Sequence, residues 1–474
     1  MSTSRQLPTI EHQEENIKPT EGVLSAQFRP LTLGLILIIL GPAFEALAVA
    51  TILPKIVTDL GGLSFYGWSF SAYMLATLVG LILAGDEADY RGPALPFIIG
   101  VVAFVSGLLL AVIAPSMIVF VLSRAVQGFG AGILVSVIYA CVGQGYPEQL
   151  KPRMVAMLAS AWVIPGLIGP ALAGVISDFF GWRWVFLGLV FILPLGIGLA
   201  FPALRKLTLL KRKREVRIYD VRRLLATAGL VIGAGLTLTG LQVQSIPLAL
   251  ALLVFGLVIG IPSLRYVLPA GTLRVRAGLP AAIATMGLLS IAFFGGEAFL
   301  PLTLISIRGQ NTIIAGIALT AATLCWTAGS WLQAHFAPKR GRRTLVLSGL
   351  FIITIAIAGI TIVLIPAIPA QIAITAWGIG GLGMGLAYST ISLVVLETAP
   401  KDQVGSASAS MELSSVLGTA LGTGLGGVII AFATSTGHSQ SWGIAIIDAV
   451  VMAFIGLSCL AALRLPGKPS QNVG

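Results

Sequence analysis

Apolar runs of about twenty residues, separated by short polar or Gly/Pro-rich breaks, recur from residue 31 to residue 463. A run of that length crosses the roughly 30 Å hydrocarbon core of a bilayer as a helix, whereas a membrane strand needs only about ten residues of alternating polarity. Fourteen such segments are legible, at 31–54, 65–84, 94–114, 116–142, 154–177, 183–203, 223–242, 246–264, 279–305, 312–336, 344–365, 369–396, 405–432 and 441–463. The pattern predicts an all-α polytopic membrane protein with 14 transmembrane helices.

The polar residues fix an orientation. With the N-terminus in the cytosol and fourteen alternating spans, Lys55, Arg183 and Arg308 face outward, Arg124 lies inside a span, and 25 of the 29 Lys and Arg fall on the cytosolic side. That asymmetry satisfies the positive-inside rule and predicts a multi-pass protein of a bacterial cytoplasmic membrane with both termini cytosolic. The most basic stretch, RKLTLLKRKREVRIYDVRR at 205–223, reads as a cytosolic loop against anionic headgroups, not as a nucleic-acid site.

An internal repeat organises the spans. PEQLKPRMVAMLASAWVIPGLIGPALAGVI at 147–176 aligns without gaps on PKDQVGSASASMELSSVLGTALGTGLGGVI at 400–429, an offset of 253 from Pro147 to Pro400. The same register carries Gly128, Gly130 and Gly132 onto Gly381, Gly383 and Gly385. The chain therefore divides into a cytosolic tail (1–30), a six-helix half (31–203), a basic loop with two linker helices (204–278), a second six-helix half (279–463) and a short cytosolic tail (464–474). Both halves start on the same side, so the repeat is parallel.

Composition adds an exclusion. The chain is 57% hydrophobic and only 10% charged, against about 25% charged in soluble domains. The N-terminal tail lacks the basic start and apolar core of a signal peptide. Cys141, Cys325 and Cys459 lie in apolar segments without disulfide or metal spacing, and His12, His335 and His438 are scattered. No phosphate-cradling loop with GxxxxGK[ST] spacing is present. Neither an enzyme, a cofactor nor a metal is expected, and uphill transport would draw on an ion gradient.

These features resemble the major facilitator superfamily, and more narrowly its fourteen-helix drug:proton antiporter group. The resemblance covers nearly all of residues 31–463. In GPAFEALAVATILP (41–54), Glu45 lies nine residues before Pro54, where that group carries an acid. GDEADYRGPA (85–94) matches the superfamily's loop after the second span through Gly85, Asp89 and Gly92, with Arg91 one place displaced and the final Arg pair missing. The second-half copy, KRGRR at 339–343, keeps that pair as Arg342 and Arg343. In the family this loop gates the cytosolic side. RAVQGFGAG (124–132) matches through Arg124, Gln127, Gly128 and Gly130. PGLIGPALAG (165–174) matches the antiporter motif in part, through Gly169, Pro170 and Gly174 beside Pro165. The resemblance implies two rocking halves with a substrate site between them, and export of apolar or cationic compounds against protons. A same-fold exporter of a lipid, siderophore or metabolite, an importer, and a non-transporting sensor are the alternatives. The expected partners are a small-molecule substrate, protons and the lipid bilayer, with the protein acting as a monomer.

The intramembrane charges carry the mechanism. Counted at 1.5 Å per residue, Glu45 and Arg124 both lie about 12–13 Å below the outer surface, a depth at which they pair if their helices adjoin. A static ion pair and a proton carrier are the two readings of that pair. Glu297, near-partner of Glu45 in the repeat, is either a cation or proton site or a cap for the backbone near Pro301. With Gln127, Tyr73 and Trp377 it is expected on the cavity wall. Glu412, among Ser408, Ser410, Ser414 and Ser415, and Asp448 read as structural, and Asp178 is expected to pair with Arg183. Glycines of the fifth span (Gly166, Gly169, Gly174) and the thirteenth (Gly418, Gly422, Gly424, Gly426, Gly427) are expected where helices approach closely.

Overall fold

The computed structural model describes residues 22–147, 150–211, 221–243, 245–336, 339–400 and 404–467. In order come α1 (Arg29–Leu60), α2 (Tyr66–Arg91), α3 (Ala94–Val112), α4 (Met117–Gly145), α5 (Lys151–Ala161), α6 (Val163–Phe179), α7 (Arg183–Lys211), α8 (Val221–Gly240), α9 (Ile246–Val267), α10 (Leu279–Glu297), one-turn α11 (Leu300–Leu302), α12 (Thr312–Phe336), α13 (Arg342–Val363), α14 (Ile372–Thr398), α15 (Val404–Ser435) and α16 (Gln440–Ala462). Among the described residues twelve helical stretches are long and apolar enough to cross a membrane, and two shorter apolar helices, Val163–Phe179 and Leu224–Gly240, fill the fifth and seventh places. The expected fourteen-helix architecture results. In hydrocarbon every backbone N–H and C=O needs an internal partner, which leaves the helix as the stable form of these segments.

Two spans are broken, each by the same device. A proline removes one helical N–H and its ring crowds the carbonyl four residues back. α5 ends at Ala161, four residues before Pro165, and α10 ends at Glu297, four residues before Pro301. After Pro301 the chain passes through a π-helical turn, Thr303–Ile307. The carbonyl of Ala298, at the second break, accepts a 2.8 Å hydrogen bond from the Tyr66 hydroxyl of the opposite half.

The repeat is reproduced in atomic packing. On α4, a Cβ at Gly128 or Gly132 would collide with the Tyr73 or Thr77 carbonyl of α2, and one at Gly130 would collide with α3. On α14, Gly381 and Gly385 press in the same way on the Ala322 and Trp326 carbonyls of α12, and Gly383 presses on α13. A small-residue face with this spacing lets one helix seat between two neighbours at backbone distance.

The ends of the bundle differ. One, here the basic end, carries Arg29, Arg205, Lys206, Arg274, Arg276, Arg340, Arg342, Arg343 and Arg464; the far end carries Lys55, Arg183 and Arg308. At the far end the halves meet along two seams. Gly67 of α2 lies against Gly427 of α15, and Ser71 donates to the Ala420 carbonyl at 2.8 Å. On the other side α6 packs on α12, where Gly316 abuts the Pro170 carbonyl and Gly174 the Thr312 carbonyl. Toward the basic end no glycine among the described residues bridges the halves, and Tyr139 of α4 and Glu412 of α15 are exposed. The molecule is a V closed at the far end and open at the basic end.

The linker helices form a hairpin locked by Gly233 against Gly260. α8 spans the α2–α15 seam: Leu238 sits over Gly424, and Gln242 accepts a 3.1 Å hydrogen bond from the Trp68 indole. α9 presents Ile246, Leu250, Val254, Phe255 and Val258 outward, as a helix facing lipid would.

Candidate functional site

Glu45 and Arg124 meet. α1 carries Glu45 in its middle, α4 carries Arg124 two turns from its far-end start, and the two helices pack together. The side chains form an ion pair, and they are 1% and 2% exposed. Taking two charges out of water is costly unless further hydrogen bonds hold them, and Arg124 has those. Its Nε donates to the Ser69 carbonyl (3.1 Å) and its Nη1 to Gln127 Oε1 (2.5 Å), and its guanidinium lies 4.2 Å from the centre of the Tyr73 ring. Gln127 in turn donates to the Gly107 carbonyl at 2.9 Å, and a Cβ at Gly107 would displace it. The guanidinium is thus held by fixed acceptors and a ring face on α2 and α4, while Glu45 depends on Arg124. Tyr73 and Gln127, expected on a cavity wall, are buried beneath this pair.

Among the described residues the second half has no equivalent buried pair. It carries two carboxylates joined by a row of aromatic rings. Glu297, half-buried, accepts from the Trp377 indole at 3.4 Å. Trp377 is fully buried and stacks on Phe293 at 4.9 Å, behind the surface and not on it. Phe294, Trp326 and Tyr388 form the half-buried front row, with ring centres 6.1 and 5.5 Å apart in succession. The Tyr388 hydroxyl donates to Glu412 at 3.4 Å.

Glu412 does not take its expected serine partners. The serines beside it bond elsewhere: Ser414 to the Ile283 carbonyl (2.9 Å), Ser415 to Ser290 (2.9 Å) and Ser410 to the Ser406 carbonyl (2.8 Å). The carboxylate itself is exposed. Eleven residues separate it from Thr423, which faces Ser71 across the α2–α15 seam. Three helical turns place both on one side of α15, so Glu412 looks into the opening between the halves. The sequence signal available for this wall was the equal eleven-residue spacing of Trp377 and Tyr388 on α14.

Asp448 is bound to Thr361 (2.8 Å) between α13 and α16. Asp178 pairs with Lys55 at 3.3 Å, not with Arg183. Arg183 instead caps the Val112 and Ala114 carbonyls, because the turn at positive-φ Gly181 points it back over Trp182 and the end of α3.

In the loop before α13, Arg342 grips Glu397 at the end of α14 through two bonds (3.1 and 2.7 Å), and Arg343 donates to the Leu465 carbonyl. Gly92, at φ 88°, turns the corresponding loop of the first half; the side chains at Gly85, Asp89 and Arg91 lie outside the described residues, as do 212–220 of the basic loop. Of the antiporter-motif residues, Pro165 is buried in α6, Gly169 faces Phe44 of α1, and Pro170 and Gly174 line the α6–α12 seam.

The family model described as Major Facilitator Superfamily matches residues 33–337. The chain belongs to that superfamily. It is similar to the "Multidrug transporter protein MdtP" of Bacillus subtilis, 25% identical over 84% of this chain and 75% of the relative. It is also similar to the "Uncharacterized transporter YebQ" of Escherichia coli, 28% identical over 90% and 93%. Among solved structures, a bacterial homolog of the human lysosomal transporter Spinster, inward-facing and unoccupied, superposes with a TM-score of 0.62 at 14% identity, covering 93% of this chain and 98% of that one. The protein is a non-enzymatic, multi-pass membrane transporter of the major facilitator fold.

Proposed function

We propose that the protein is a proton-coupled exporter of small lipophilic cations, working by alternating access across the cytoplasmic membrane. The observation that carries this reading is the buried Glu45–Arg124 pair: one titratable acid, held by one fixed cation, in the half that lacks the aromatic wall. An intramembrane carboxylate at such a place is a functional group by default. Protonation of Glu45 removes its charge from Arg124 and loosens α1 from α4; deprotonation restores the pair. A multidrug-transporter relative and the antiporter-motif residues on the α6–α12 seam support export. With the basic end cytosolic, by the positive-inside rule, the V opens to the cytosol. Substrate then enters from the basic end and reaches Glu297, whose carboxylate offers a cation its counter-charge.

The test is proton flux in proteoliposomes with an imposed pH gradient and an internal pH dye. Lipophilic cations should trigger proton movement in the native protein, and Glu45→Gln should abolish it while cation binding persists. Uphill export by Glu45→Gln with unchanged pH dependence would end the coupling assignment.

A further inference from the structure

Asp448 stands apart from both the Glu45–Arg124 pair and the aromatic wall. It is buried between α13 and α16, 5% exposed, and its partner is a hydroxyl. Thr361 Oγ1 lies 2.8 Å from Asp448 Oδ2 and 3.0 Å from the Ile357 carbonyl, one turn back on α13. A threonine hydroxyl has one proton to give and lone pairs with which to accept, and a carbonyl only accepts. When the Thr361 proton goes to Ile357, the 2.8 Å contact is made by a proton on Asp448. When it turns to Asp448, the acid is ionised, and the Ile357 carbonyl keeps the backbone bond of its own helix. One rotating hydroxyl thus serves the acid with and without its proton. The first arrangement makes both hydrogen bonds and buries no charge. The second buries a carboxylate on a single hydrogen bond, which is costly away from water.

No charged group replaces the proton. α10 brings Glu297, whose neighbour Gly296 faces Val451 one turn from Asp448, and α15 brings Glu412 nearer the basic end. α13 carries Arg342 and Arg343 at its opposite end; α16 carries Cys459 and follows His438, which bonds Thr436. The π-helical turn leads to Arg308, whose terminal N–H groups go to the carbonyls of Val363, Ile365, Pro366 and Ile368. Among the described residues none of these forms an ion pair with Asp448.

A cavity stands over the pair at the far end. Its volume is about 340 Å3, and Ile307, Arg308, Leu364, Pro366 and Ser441 line it. It has room for several waters. Ser441 precedes Asp448 by two turns of α16, on the same face and about 10 Å toward the far end. Leu364 lies one turn beyond Thr361. Ile307 ends the π-helical turn that follows Ala298, the carbonyl on which Tyr66 closes the far end. An ionised Asp448 would draw cavity water inward and slacken the packing beneath that contact.

We propose that Asp448 and Thr361 form a second proton-binding site, filled from far-end water, whose occupied form holds the far end closed. The site rests on the alternating-access reading above and is separate from the coupling acid Glu45. On release, the proton leaves Asp448 Oδ2 for cavity water, and Thr361 turns its own proton from Ile357 to the carboxylate.

The experiment uses the full-length protein in lipid nanodiscs. Infrared difference spectra between acid and alkaline buffer should show the carbonyl band of a buried carboxylic acid, which Asp448→Asn removes and Thr361→Val shifts. The conformational arm takes Glu45→Gln as background, so that the coupling acid is silent. With the three cysteines replaced, spin labels go on Phe180→Cys and Gln371→Cys, exposed far-end positions of opposite halves. The short-distance population should grow as pH falls, and Asp448→Asn should keep that population at every pH. Should Asp448→Asn not fold, as thermal unfolding would show, Thr361→Val should still shift the band and displace the midpoint of the pH response. A carboxylic band untouched by Asp448→Asn and Thr361→Val, or a pH response that survives Asp448→Asn, overturns the proposal. If band and response depend on Asp448 while no substrate moves protons, the coupled-export reading falls and this site stands. If the labels keep one distance at every pH and with lipophilic cations added, the far end does not open, and both fall.

Discussion

Arg342 and Glu397 are joined by two hydrogen bonds at the basic end of the second half, and the first half holds neither charge at the equivalent places. Pro93 stands where Arg342 does in the loop copy, and Gln144 stands where Glu397 does at the repeat offset. There the Ala94 amide donates to Thr208 on α7, a neutral contact at 3.1 Å. At these two places the brace is charged in the second half and neutral in the first. Both members are largely shielded, at 8% and 23% side-chain exposure, and the geometry is bidentate. Arg342→Gln should destabilise the folded protein by about 2 kcal/mol, because it strands a partly buried carboxylate. Adding Glu397→Gln should recover a good part of that. Thermal unfolding of the two variants in detergent checks both; a double variant no more stable than the single one would show that the pair does not act as a pair.

The Glu45–Arg124 pair should behave asymmetrically under mutation. Glu45→Gln leaves Arg124 with the Ser69 carbonyl, Gln127 and the Tyr73 ring, so the protein should stay folded and bind substrate without coupling. Arg124→Gln leaves Glu45 buried with no cation. Breaking a buried pair from that side costs about 3–5 kcal/mol, and uptake of a proton by the stranded acid recovers part of it. Arg124→Gln should accordingly be less stable than Glu45→Gln, and Arg124→Gln with Glu45→Gln should be more stable than Arg124→Gln alone. Arg124→Lys should not rescue, since a single ammonium lacks the planar fork that reaches Ser69 and Gln127 together. Unfolding temperatures across the four proteins give the comparison.

Ser71 and Thr423 offer a lock for the far end. Their hydroxyl oxygens face each other at 3.2 Å across the α2–α15 seam. With Cys141, Cys325 and Cys459 replaced, Ser71→Cys with Thr423→Cys should cross-link under mild oxidation and hold the V closed at that end. Transport should stop on oxidation and return on reduction, measured as reversible loss of substrate flux in proteoliposomes. Flux that continues in fully cross-linked protein would mean that the seam does not part during the cycle.

The glycine triplets allow a test of the repeat itself. Gly128→Ala and Gly381→Ala each drive a methyl into a facing carbonyl, on α2 and α12 respectively. Overpacking of this kind costs about 1–3 kcal/mol, and the two substitutions should lower thermal stability by similar amounts. A Gly235→Ala control, which meets open space on α8, should change it little.

The span count, the two related halves, the buried pair and the closely packed glycines were all legible in the sequence. Each is written in a local quantity: the length of an apolar run, the offset of one motif from another, the depth of a charge along a helix. Lipid makes that possible, because it forces the backbone into helices and leaves the side-chain pattern to state the rest. Partners across helices were not legible. Asp178 finds Lys55 and not Arg183, Trp377 turns inward behind Phe293, and Glu412 looks away from its neighbouring serines into the opening. Those outcomes depend on how α1, α12, α14 and α15 are rotated against one another, and rotation is set by packing over the whole bundle. The sequence by itself determined which residues are expensive to bury; only the tertiary structure decided what compensates them.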